Sequence, residues 1–237
     1  MMRLNKFLAK AGMLARRKCE YYIFSGMVFV NGKKIKNPGY KIDEKKDEVF
    51  INNKRIVLKE KYRYIVLNKP LNCITTLKDE KGRKKIIDYI NISERLFPIG
   101  RLDINTTGVL LLTNDGDLAY RLSHPKYQTD KTYIVVLDKK ISKKCIEEFK
   151  KGVVIGKDEI VTGDVKIIEN KNKKHTVRIK IHTGKKRQIK RMFSALGYNV
   201  LELERIEFAG IKKDGLKPGN WRNLTKEEVD SLKKLVI

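Results

Sequence analysis

The loop Pro98-Ile-Gly-Arg-Leu-Asp-Ile-Asn-Thr-Thr-Gly108 holds Arg101 and Asp103 between two glycines and runs straight into the apolar stretch Val109 to Leu112. A lone carboxylate in such a loop can act as a nucleophile or as a general base. It can equally cap its own turn, a common use of aspartate. Residue chemistry alone leaves both readings open. Other catalytic arrangements are missing: Ser, His and Asp show no hydrolase spacing, and neither G-x-x-x-x-G-K-[ST] nor G-x-G-x-x-G is present. His124, His175 and His182 lack metal-ligand spacing. Cys19, Cys73 and Cys145 are odd in number, far apart and outside any C-x-x-C. Unpaired thiols in a reducing compartment are expected, and a structural zinc is not.

Charge gives the second signal. Lys and Arg number 54 against 28 Asp and Glu, a formal net charge of +26 over 237 residues. Ten cations and no acid fall in residues 171–191, and ten cations with only Glu20 opposing them in residues 1–41. Two separated clusters of this kind suit the phosphates of a nucleic acid. A membrane is the weaker candidate, because no stretch approaches the roughly 20 apolar residues that span one. Lys6 and Lys10 break the apolar positions of the N-terminus, so a secretory signal is not expected and a cytoplasmic location is. Tyr21, Tyr22, Tyr133 and Phe193 can stack on bases, although burial is the commoner use of such rings.

These groups need elements to hold them. Leu4, Phe7, Leu8 and Ala11 recur at helical spacing before Gly12, a second helix is predicted from Ala15 to Phe24, and Val28–Val30 turns through Asn31-Gly32 into Lys33–Lys36 as a hairpin. A small basic domain is therefore expected over 1–50, a polar linker over 51–61 and a larger domain over 62–237. In that larger part, Tyr64 to Leu67, Val109 to Leu112 and Tyr133 to Leu137 read as strands, and Ser142 caps a helix running to Lys150. Val165 to Ile168, a turn at 170–174 and the alternating Val177, Ile179 and Ile181 read as a hairpin. Lys186 to Leu196 is predicted as a helix with Arg187, Lys190 and Arg191 on its polar side, and Thr225-x-x-Glu228 opens a C-terminal helix. The class is α+β: a small helix-helix-hairpin domain followed by a larger mixed, mainly antiparallel-sheet domain.

Gly100-Arg-Leu-Asp103-Ile-Asn-Thr-Thr-Gly108-Val-Leu-Leu-Leu-Thr-Asn-Asp-Gly116 resembles the catalytic motif of pseudouridine synthases of the ribosomal (Rsu) type. Asn68-Lys69-Pro70, Lys131-Thr-Tyr133, Thr183-Gly-Lys-Lys-Arg-Gln-Ile-Lys-Arg-Met192, Leu203-Glu-Arg205 and Gly219-Asn-Trp221-Arg222 follow in the order of that family. Residues 2 to about 48 are similar to the RNA-binding domain first described in the fourth small-subunit ribosomal protein. The resemblance implies an isomerase that moves a uridine of ribosomal RNA from an N1 to a C5 bond with its ribose, without a cofactor. It implies Asp103 as catalytic carboxylate, Tyr133 packing on the base, and Leu203 and Arg101 in the base pocket. Lys190 stands where many members carry an Arg that pairs with the aspartate. Arg3, Arg16, Arg17 and Lys18 in the small domain, and Lys185, Lys186, Arg187 and Arg191 in the large one, are expected to meet RNA phosphates. The segment Ser123-His-Pro-Lys126 is similar to the large-subunit branch, which is favoured over the small-subunit branch. A monomer with ribosomal RNA as its partner is expected. A non-enzymatic RNA-binding protein would keep the basic clusters but has no need of Asp103 and Tyr133 together.

Overall fold

The computed structural model describes residues 1–58, 61–156, 159–168 and 175–237. The chain divides into two compact units, one built on Met1–Arg63 and the other covering Tyr64–Ile92, Leu96–Thr113 and Asp117–Ile237.

The small unit opens with the helices Leu4–Lys10 and Arg16–Phe24. Leu4, Phe7, Leu8, Cys19 and Ile23 face one core with Val28, Val30, Val49, Ile51 and Ile56. The expected hairpin of Val28–Val30 and Lys33–Ile35 forms, and Asn31 and Gly32 take the left-handed backbone that a two-residue turn requires. Val28–Val30 also pairs with Val49–Ile51, and Val49–Ile51 with Lys54–Ile56, giving a four-stranded sheet. The linker expected from residue 51 is thereby corrected. Asn52 and Asn53 both adopt positive φ, which turns the chain back, and Ile56 buries its side chain in the core. Residues 59 and 60 of that expected linker lie outside the described residues, as does the turn expected at 170–174.

The large unit is a mixed, mostly antiparallel sheet. Its strands run in the order Asp164–Ile168, His175–Ile181, Lys131–Leu137, Val200–Phe208, Thr107–Thr113, Tyr64–Lys69, Trp221–Asn223. Among the described residues, one pairing of this sheet is parallel, where Glu204 and Arg205 meet Thr107 and Gly108. The neighbouring strands Tyr64–Lys69 and Thr107–Thr113 read as unbroken apolar runs because both their faces are covered. Leu110 and Leu112, with Ile65 and Leu67, face a core shared with Phe149, Ile189, Met192 and Phe193 of the helices Lys143–Lys151 and Gln188–Ala195. Val109, Leu111 and Val66 face the opposite core, with Leu118 and Leu122 of the helix Gly116–Ser123 and Leu232 of the helix Lys226–Leu235. His175–Ile181 alternates instead: Val177, Ile179 and Ile181 are buried while His175 and Arg178 are exposed. The caps read from the sequence form, Ser142 accepting from the Cys145 amide at 3.2 Å and Thr225 with Glu228 closing a capping box. All three cysteines are free, with Cys19 and Cys73 buried. Among the described residues no helix is long and apolar enough to cross a membrane.

Candidate active site

Asp103 lies in the loop between the short strand Phe97–Pro98 and Thr107–Thr113, and both of its sequence neighbours are pinned. Leu102 is buried, its amide donates to Thr75 Oγ1 at 3.2 Å, and the Thr75 hydroxyl donates back to the Leu102 carbonyl at 2.7 Å. The Ile104 carbonyl accepts from the Asn72 amide at 3.0 Å, and the Thr106 amide closes a turn onto the Asp103 carbonyl at 3.0 Å. Asn72 sits at φ 57°, a left-handed conformation asparagine tolerates better than most residues. The loop of 70–76 is therefore a clamp on the loop carrying Asp103. Behind it, Lys69 is fully buried and its ammonium donates to the carbonyls of Pro70 at 3.0 Å and Cys73 at 2.6 Å. Burial pushes that ammonium down to about 8, against the pull of Cys73 and Asp103.

Gly108 closes the loop and brings it to the sheet. Its φ is +103°, and a Cβ there would stand 2.1 Å from the Arg205 carbonyl oxygen, so the parallel pairing of the two strands requires glycine. Across the sheet, Tyr133 pairs with Arg205 and Val135 with Leu203, and an irregularity at Ile206 lets Lys131 pair with Phe208. Side chains at directly opposed positions share one face. The result is a cavity of about 290 Å³ whose wall includes Asp103, Tyr133, Leu203, Arg205 and Phe208, with Arg101 on its lining too. Tyr133 and Leu203 are both buried, and Arg101 is exposed.

The rim is cationic. The helix Gln188–Ala195 begins two residues later than predicted, because Gln188 is buried and its side-chain oxygen accepts from the Lys185 amide and the Thr183 hydroxyl, both at 2.9 Å. Arg187, just before it, takes the left-handed backbone at φ 51°. Lys186 and Arg187 are exposed and line both the cavity and a second groove of about 560 Å³ between this helix and residues 154–156. Lys185 and Arg191 are already engaged: Glu159 pairs with both, and Arg191 also donates to the Ile155 carbonyl at 2.7 Å. The Lys185 hydrogen bond, first among several causes, holds Glu159 below the usual carboxylate range. Lys190 lines the second groove, not the Asp103 cavity. It closes no ion pair with Asp103 among the described residues; burial and then Arg187 lower its ammonium, and Asp103 opposes them through space. In the small unit Arg3, Arg16, Arg17 and Lys18 are exposed, and the helix start at Arg16 has neither a side-chain cap nor an acid in its first turn.

The sequence marks Asp103, Arg101, Tyr133 and Leu203, and the structure gathers all four on one cavity. Lys69, Thr106, Lys131 and Arg205 carry no role assigned from sequence. For Arg205 the available signal is a cation two residues from Leu203, on the face that a strand must bury. Among the described residues no cluster of metal-ligating side chains is present.

A sheet domain covered on both faces, with an aspartate loop and a cationic rim and preceded by a small basic domain, defines a class of RNA-modifying enzyme. Residues 63–195 match the RNA pseudouridylate synthase family and residues 2–49 the S4 domain, so the chain belongs to the RNA pseudouridylate synthase family. It is 39% identical over 99% of its length to the ribosomal large subunit pseudouridine synthase B of Bacillus subtilis, covering 97% of that protein. It is 36% identical over 99% of its length to the dual-specificity RNA pseudouridine synthase RluF of Escherichia coli, covering 79% of that protein. A crystal structure of a pseudouridylate synthase superposes with a TM-score of 0.71 at 30% identity, covering 98% of this chain and all of the other.

Proposed function

We propose that this protein converts one uridine of ribosomal RNA, in the large subunit, to pseudouridine, with Asp103 as the catalytic carboxylate. The observation that carries the reading is the meeting of Asp103, Tyr133 and Leu203 on one cavity beneath a cationic rim. A uridine in folded RNA is stacked, and its glycosidic bond is reached only when the nucleotide is turned out into a pocket. Tyr133 and Leu203 supply the ring and the apolar side chain that flank the base, and Arg101 at the mouth meets the RNA beside it. Asp103 then either bonds to ribose C1′ or takes the C2′ proton as the C1′–N1 bond breaks, and C5 of the freed base rejoins C1′.

Lys190 acts on Asp103 through space and contributes positive potential rather than a fixed hydrogen bond. Lys186 and Arg187 hold the flanking phosphates, and Lys185 and Arg191 join them where phosphate displaces Glu159. Arg3, Arg16, Arg17 and Lys18 extend the interface to a second RNA segment. Cations at a helix start oppose the helix dipole, so Arg16, Arg17 and Lys18 cost local stability that an arriving phosphate relieves. Cytoplasmic location and a monomeric state belong to the same reading. The likeness to the ribosomal large subunit pseudouridine synthase B of Bacillus subtilis supports a large-subunit target, and the test is carbodiimide mapping of both ribosomal RNAs from a strain lacking this protein. One pseudouridine absent from the large-subunit RNA is expected. A missing site in the small-subunit RNA instead would move the target to that subunit.

A further inference from the structure

Two buried hydrogen-bond donors on the cavity wall have no partner among the described residues. Arg205 is 2% exposed, and its guanidinium donates through Nε to the Val109 carbonyl at 2.7 Å and stacks at 4.7 Å on the Phe208 ring. Its Nη2 makes no hydrogen bond among the described residues. Thr106 is also 2% exposed, and its Oγ1 is likewise unpartnered. Both residues line the cavity that holds Asp103: Arg205 is on the strand Val200–Phe208, and Thr106 ends the Asp103 loop two residues before Gly108, which pairs with Arg205. A buried donor left unsatisfied is costly, more so when charged, so two at one wall mark a place built for an acceptor. Arg205 lies opposite Tyr133 and two residues from Leu203, the side chains placed beside the base. The same wall carries Lys131, whose ammonium burial, and then Arg205, pushes down to about 8. A guanidinium with an unpartnered donor bonds most strongly to an acceptor that carries or gains negative charge.

We infer that Arg205 Nη2 and Thr106 Oγ1 hold the ring carbonyl oxygens of the extruded uracil and stabilise the negative charge that the base acquires when its glycosidic bond breaks. The inference rests on the proposed function and adds two catalytic residues to it. When C1′–N1 breaks, its electron pair stays with the base, and the charge spreads from N1 onto O2 and O4. The deficit at C1′ is met by Asp103, either by a bond to C1′ or by removal of the C2′ proton. C5 then donates a pair to C1′, the C5 proton leaves, N1 gains a proton, and any proton taken from C2′ returns. Free uracil anion in water would be solvated. In this cavity a fixed guanidinium and a hydroxyl replace that water without having to reorganise.

The test compares wild type, Thr106→Val, Arg205→Lys and Arg205→Gln on two RNAs. One carries uridine at the target and the other 6-azauridine, whose more acidic ring leaves more readily as an anion and keeps its C5 hydrogen. Single-turnover rates are read from tritium released at C5, and affinities from filter binding. Expected are RNA affinities within about twofold of wild type, rate losses of about 10-fold for Thr106→Val and 10²-fold for the Arg205 variants on uridine RNA, and smaller losses on 6-azauridine RNA. Equal losses on both RNAs would reduce the two residues to positioning roles, and a wild-type rate in Thr106→Val would overturn the inference. If the Arg205 variants fail to fold in urea titrations, the near-isosteric Thr106→Val decides alone. Wild type that forms no pseudouridine would instead defeat the underlying reading.

Discussion

At the scale of single residues the site is a set of cations arranged around one carboxylate. Lys69 is the most constrained, a fully buried ammonium bonded to two carbonyls of the loop that clamps Leu102 and Ile104. Its lowered value of about 8, against an ordinary 10.5, sets a sign for stability. Between those values the unfolded chain holds a proton here that the folded chain has lost, so stability rises with pH across about 8 to 10.5. The contribution is at most about 3 kcal/mol. Urea unfolding at pH 7.5 and pH 10 should show wild type gaining stability relative to Lys69→Met as pH rises. A pH-independent difference between the two proteins would contradict the burial of a charged ammonium at this site.

At the scale of elements the loop carrying Asp103 depends on a parallel strand pairing that only glycine permits. Gly108→Ala combines a disfavoured φ with a collision against the Arg205 carbonyl, so it should cost more than about 3 kcal/mol, beyond ordinary backbone strain. A urea midpoint near that of wild type would mean that the strands holding Asp103 and Arg205 do not pair in parallel at Gly108. Much of this level is legible in the sequence. Alternation locates Val177, Ile179 and Ile181, the capping pattern locates the last helix, and the glycines mark the Asp103 loop. The linker reading fails because Asn52-Asn53 is a turn signal embedded in lysines, where Ile56 alone betrays the strand. For Arg205 the sequence offers only a cation near Leu203 on a buried face, because its place beside Tyr133 comes from a cross-strand register with a residue 72 positions away in the chain. Motif position sets Lys190 against Asp103; helix geometry turns it to the neighbouring groove instead.

At the scale of the whole molecule a net charge of +26 makes RNA affinity an electrostatic quantity. Replacing Arg16, Arg17 and Lys18 together by Gln should flatten the slope of log affinity against log salt by about 0.7 to 0.9 for each phosphate left unneutralised, while turnover at saturating RNA stays near wild type. An unchanged slope would remove that helix start from the RNA interface. The central claim is that one carboxylate, held between two pinned neighbours, performs the isomerisation. Asp103→Asn keeps the size and turn-capping ability of the side chain and removes the negative charge, so purified variant should bind unmodified large-subunit RNA as wild type does. Its pseudouridine formation, read by carbodiimide mapping, should fall by at least about 10²- to 10⁴-fold. Pseudouridine formed by Asp103→Asn at the wild-type rate would contradict the account.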